Sequence, residues 1–167
     1  MKKYNSISVT AQGLALSIRM PITVSAGGKA IKIMAVWDTG ATGTCISERV
    51  ANDLQLVPIS KSIHNTANGP KECNDFIVDI NMLDNIFIKD VRISDFAGGP
   101  GVDALIGMDI ITMGDLSITN ARGQTVMSFR IPPDPINHID YVKIQNKENK
   151  AAMDLKHFNK KMKKRAK

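Results

Sequence analysis

The apolar run Ile31-Lys32-Ile33-Met34-Ala35-Val36-Trp37 ends on Asp38-Thr39-Gly40-Ala41. A strand that stops on a carboxylate, a hydroxyl and a glycine presents an acid at a tight turn. An acid partly removed from water must be paired, hydrogen-bonded or protonated, because an isolated buried charge is very costly. Such a group can move protons at a reacting centre. Gly40 permits a close backbone approach that a side chain would forbid, and the Thr39 hydroxyl can hydrogen-bond locally or across an interface. The same tripeptide also serves as an ordinary strand-ending turn, since Asp and Gly mark turns by themselves. A chemical reading therefore needs a second element.

That element is Asp103-Ala104-Leu105-Ile106-Gly107-Met108-Asp109-Ile110-Ile111-Thr112-Met113-Gly114. Two aliphatics run into Gly107, and a short apolar helical turn follows, with Gly114 expected as its C-cap. In order and spacing, Ala35 to Ser47 together with Ala104 to Ile111 resemble the catalytic loop and the later hydrophobic-hydrophobic-glycine segment of the retropepsin-like aspartic proteases. That single-lobe family includes retroviral proteases and bacterial relatives. The resemblance runs from about Ile22 to Phe129 and leaves the C-terminal segment uncovered.

The resemblance implies an aspartic endopeptidase with Asp38 as catalytic residue and Thr39, Gly40 and Ala41 as its loop. Thr39 would hydrogen-bond across a dimer, Gly40 would offer a carbonyl near substrate, and Ala41 would keep the approach open. Leu105, Ile106 and Gly107 would pack against the loop and line subsites. A mobile hairpin, the flap, is implied at about Ile63 to Asn74, with Asn65, Ala67, Asn68 and Gly69 around its tip. The mechanism takes two carboxylates and neither metal nor cofactor. The chain has one Asp-Thr-Gly, so the second Asp must come from another copy, and a two-fold homodimer places identical residues face to face. Like charges that close hold one proton between them. Two positions depart from the retroviral pattern, in which an Asp follows the first motif and an Arg the second glycine. Here they are Thr42 and Met108, so both partners of that ion pair are lost together, which avoids a single uncompensated charge.

The elements that must carry these loops read as mostly β. Ile18 to Val24, Lys29 to Val36, Phe76 to Ile80, Ile86 to Ile93 and Thr125 to Ile131 are rich in β-branched and aromatic residues and are bounded by Gly, Asn or Pro. Gly27-Gly28 reads as a hairpin turn and Asn68-Gly69 as another. Ser47 can cap a short helix through Leu54, with Val50, Ala51 and Leu54 on one face. The expected fold is all-β: a small closed acid-protease barrel with one or two short helices.

Pro132-Pro133-Asp134-Pro135 marks the expected end of a protease domain spanning 1–135, leaving a basic tail at 136–167, partly helical or disordered. From Lys143 on there are ten Lys or Arg against Glu148 and Asp154, a net +8 within a total of +6, so residues 1–142 carry −2. The body is thus no basic nucleic-acid-binding domain. Leu155, Phe158 and Met162 fall on one helical face. A solvated terminal segment and a weak electrostatic contact with nucleic acid or an anionic surface both fit the tail.

Met1-Lys2-Lys3 begins like a signal peptide, but Asn5-Ser6, Gln12 and Arg19 interrupt any apolar region. No stretch approaches a membrane span. Cys45 and Cys73 are expected as reduced thiols, which points to the cytoplasm. His64 and Cys73 lack the partners a zinc site needs. The alternative function is a catalytically silent retropepsin-fold binding or scaffold protein targeted by its tail, since a fold does not establish an activity.

Overall fold

A computed structural model describes residues 3–66 and 69–165. They divide into two compact units, Met1–Pro133 and Asp134–Lys167.

In the first unit, ten strands are numbered in chain order. They are β1 (Asn5–Thr10), β2 (Arg19–Ala26), β3 (Lys29–Trp37), β4 (Cys45–Ser47), β5 (Ser60–Thr66), β6 (Gly69–Met82), β7 (Ile86–Phe96), β8 (Ala104–Ile106), β9 (Asp115–Ala121) and β10 (Gln124–Ile131). Two short helices interrupt them, α1 (Glu48–Asp53) and α2 (Met108–Ile111). Six strands close on themselves in the order β2-β3-β8-β4-β7-β6, because β6 pairs back onto β2 through Val24↔Ile80. Closure removes the free edges that an open sheet would expose. β5 extends the sheet beyond β6, and β1-β10-β9 form a separate antiparallel sheet.

Alternation puts Ile22 and Val24 of β2, Ile33, Ala35 and Trp37 of β3 and Ala104 and Ile106 of β8 into one core, all buried. Phe129 of the small sheet joins that core, its ring meeting Trp37 edge-on at 4.9 Å. Each fully buried aliphatic or aromatic side chain contributes about 1.5–3 kcal/mol relative to exposure, so the core supports the loops that interrupt the barrel.

Local chemistry accounts for several boundaries. Gly27 and Gly28, with φ of 55° and 78°, make the two-residue turn joining Ala26 to Lys29, a conformation costly for residues with a Cβ. The Ser47 side chain accepts the Val50 amide and starts α1, whose Val50 and Ala51 are buried. One expectation is corrected at Gly114. The C-cap of α2 is Thr112, and Gly114 does not have a positive φ. A Cβ there would lie 2.1 Å from the Arg130 carbonyl oxygen and 2.8 Å from the Phe129 ring. The glycine is demanded by the close passage of β10, not by a helix end.

The second unit contains α3 (Tyr141–Arg165). Asp140 Oδ1 accepts the amides of Val142 and Lys143 at 3.0 and 3.1 Å, satisfying donors that a helix start leaves open. Leu155 and Phe158 are exposed. No helix among the described residues is long and apolar enough to cross a membrane.

Candidate active site

β3 and β8 run parallel and adjacent, with Trp37 opposite Ile106. They therefore deliver their following loops to the same end of the barrel. The Asp38 amide donates to the Ile106 carbonyl at 2.9 Å, continuing the ladder one step past the strand. The chain then turns, Ala41 N donating to the Asp38 carbonyl at 3.2 Å. The Asp38 carboxylate is half-buried and accepts the Gly40 amide on Oδ1 at 2.8 Å. A Cβ on Gly40 would stand 3.2 Å from the same oxygen, so the glycine lets the backbone wrap its own acid.

The loop after β8 locks onto the first. Met108 N donates to the Ala41 carbonyl at 2.8 Å and Asp109 N to the Thr42 carbonyl at 3.2 Å. Asp109 in turn accepts the Thr44 amide at 3.0 Å and the Thr44 hydroxyl at 2.8 Å. The same hydroxyl accepts the Gly107 amide at 3.0 Å. A Cβ on Gly107 would fall 2.5 Å from the Gly43 carbonyl carbon and 2.9 Å from the Thr44 amide. Gly107 is thus required by contact between the two loops. Thr44 and Asp109 are functional candidates that the sequence reading passed over. Their only signals were a hydroxyl six beyond Asp38, in a loop of small and polar residues, and an acid two beyond Gly107, between Met108 and Ile110.

Of the residues singled out in sequence, Asp38, Thr39, Gly40, Ala41, Leu105, Ile106 and Gly107 come together at these two loops. Their side chains divide in direction. Ile106 is fully buried, so it supports the site from the core and lines no open surface. Leu105 is half-buried on the opposite face of β8. Thr39 is exposed, and its hydroxyl makes no hydrogen bond among the described residues. Thr42 is exposed and Met108 half-buried.

Asn65 and Gly69 lie at the far end of the β5–β6 hairpin, which begins at Ser60 and is longer than expected. Ala67 and Asn68 lie outside the described residues. His64 and Cys73 do not converge: His64 Nε2 meets Ser62 and Ser94, while Cys73 Sγ points to the Lys71 carbonyl at 3.8 Å. Among the described residues no group of three or more His, Cys, Asp or Glu is placed to hold a metal.

Cys45 sits beside the loops, close enough to Asp38 and Asp109 to feel both charges. Burial, chiefly, pushes its thiol up to about 12, and those carboxylates add to the effect. A thiol so raised is protonated near neutral pH and is not a nucleophile. Cys73 is raised as well, again mainly by burial.

A family described as "gag-polyprotein putative aspartyl protease" matches residues 22–113, and the chain belongs to that family, whose members are retropepsin-like aspartic proteases. No curated protein matches. Among solved structures, a retropepsin-like aspartic protease from Rickettsia conorii is 16% identical over 78% of this chain and 98% of that one, with a TM-score of 0.48. The simian foamy virus protease is 21% identical over 55% and 91%, at 0.39. The EIAV protease bound to the inhibitor HBY-793 is 18% identical over 60% and 90%, at 0.45.

Proposed function

We propose that the protein is an aspartic endopeptidase that works as a homodimer, with Asp38 from each copy forming the catalytic dyad. The observation that carries this reading is a half-finished site. The Asp38 carboxylate is half-exposed on a loop clamped by the β8–α2 segment, and its partner within the chain is a backbone amide rather than a second acid. Asp109, the other acid in the paired loops, is occupied by Thr44. A second copy related by a two-fold axis would supply the missing carboxylate. The Thr39 hydroxyl, without a hydrogen bond among the described residues, stands next to Asp38, where it would bond across that interface.

In such a pair one proton is shared, and its apparent pKa values belong to the dyad. The ionised oxygen takes a proton from a water held between the carboxylates. The attacking oxygen adds to the peptide carbonyl while the protonated carboxyl donates to the carbonyl oxygen. Collapse of the tetrahedral intermediate returns a proton to the leaving nitrogen. Thr42 and Met108 place no charge at either end of the paired loops, so substrate backbone and partner loop would be gripped there by neutral contacts. Free Cys45 and Cys73 fit a reducing compartment.

Asp38→Asn tests the reading. The variant should fold, keep its oligomeric state and lose cleavage of a denatured-protein or peptide library by about a thousandfold or more, since it removes the acid and base together. Equal cleavage by both proteins would refute it.

A further inference from the structure

The β5–β6 hairpin is joined to the barrel by backbone hydrogen bonds through β6 alone, because β5 is the last strand of its sheet. Side chains supply a second attachment. Ser60, Ser62 and His64 alternate along β5 and so share one face. Asp75 of β6 stands opposite Ser60, and Ser94 of β7 stands opposite Asp75, on that same face.

Asp75 is 1% exposed. Its Oδ1 accepts the hydroxyls of Ser62 at 2.8 Å and Ser94 at 2.7 Å. Its Oδ2 accepts Ser60 at 3.0 Å and the Arg92 guanidinium at 2.8 Å. Burial by itself would raise this carboxyl. The bonds from Arg92, Ser94, Ser62 and Ser60 outweigh it and hold the group well below the usual carboxylate range. An ionised carboxylate only accepts, and each serine hydroxyl has one proton to give. The protons of Ser62 and Ser94 are therefore spent on Asp75. His64 Nε2 lies 2.8 Å from Ser62 Oγ and 2.9 Å from Ser94 Oγ. With those hydroxyls already donating, Nε2 must carry the proton and donate to them. The links run from β5 across β6 to β7.

This network borders the proposed site. Val36, Leu105, Cys45, Ser94, Asp75 and Ser60 are successive register partners across β3, β8, β4, β7, β6 and β5. Cys45, the member beside Ser94, is the one that feels the charge of Asp38.

We propose that the buried Asp75–Ser62/Ser94–His64 network is the positioning device of the β5–β6 hairpin. It fixes the angle between β5 and β7, and in the proposed protease the hairpin so held would set how firmly substrate is gripped. His64 is the positioning residue through which β5 is held to β7. The substrate-binding consequence rests on the proposed protease reading; the mechanical one does not.

The test compares wild type with His64→Leu, which removes the donor, and His64→Gln, whose amide can still donate to both hydroxyls. Amide hydrogen exchange reads the hairpin. In His64→Leu, exchange across 60–66 should quicken about tenfold or more while 19–26 and 29–37 stay as in wild type, and His64→Gln should remain near wild type. On a cleaved peptide, His64→Leu should raise KM about fivefold and leave kcat within about twofold, the pattern of lost binding and not lost chemistry. Unchanged hairpin exchange in His64→Leu, or quickening shared equally by β2 and β3, would overturn the proposal. If wild type cleaves nothing, the protease reading fails alone, and the exchange comparison still decides the role of the network.

Discussion

Gly107 shows how a single missing side chain can hold a site together. Its Cα faces the backbone of Gly43 and Thr44 at distances that leave no room for a methyl group. Gly107→Ala should therefore force the two loops apart and cost about 1–3 kcal/mol of stability, as overpacking does, read as a lowered denaturant midpoint with unchanged m-value. Gly40→Ala makes a sharp contrast, because its nearest obstacle is the Asp38 carboxylate oxygen itself, at 3.2 Å. At this scale Asp38 stood out in sequence only in company with Leu105-Ile106-Gly107, since an acid and a glycine after a strand read equally well as a turn, and the structure brings the two segments together. The Thr44–Asp109 and Thr44–Gly107 bonds were not. They join residues 65 and 63 positions apart, and a hydroxyl in a local pattern does not announce a distant partner.

Among the elements, the strands with strong β-branched patterns in β2, β3, β6, β7 and β10 were legible, as were the Gly27-Gly28 turn and the Ser47 cap. β4 and β8 were not read as strands, because three residues each are too few to show a period. β9, Asp-Leu-Ser-Ile-Thr-Asn-Ala, is largely exposed or half-buried and carries no buried face to mark it. Asp75 hides in the same way, since in sequence it is one more polar residue in a strand and only the fold surrounds it with donors. Its carboxyl is held below its unfolded value of about 3.9, so its contribution to stability is present in full above that value and fades as pH falls toward the folded one. Urea unfolding followed from pH 7 to pH 2 should show that acid limb in wild type. In Asp75→Asn the limb should be shallower, on a protein less stable at neutral pH; an identical pH dependence in both proteins would contradict this.

For the molecule as a whole, one closed barrel brings the Asp38 and Gly107 loops to one end, while the basic helix belongs to a separate unit. The barrel and its family were within reach of the sequence because two motifs in series carry them. The proposed dimer is a deduction from a single Asp-Thr-Gly per chain, and Thr42 and Met108 would leave its loops without the ion pair of the retroviral pattern. The most direct measurement holds wild-type protein constant and adds increasing Asp38→Asn protein under conditions of subunit exchange, while following cleavage of one peptide. If the active species needs Asp38 from both copies, an equal amount of variant should lower activity to about one half, and a tenfold excess to about one tenth, by mass action on shared dimers. Activity that does not respond to the added variant would contradict the account.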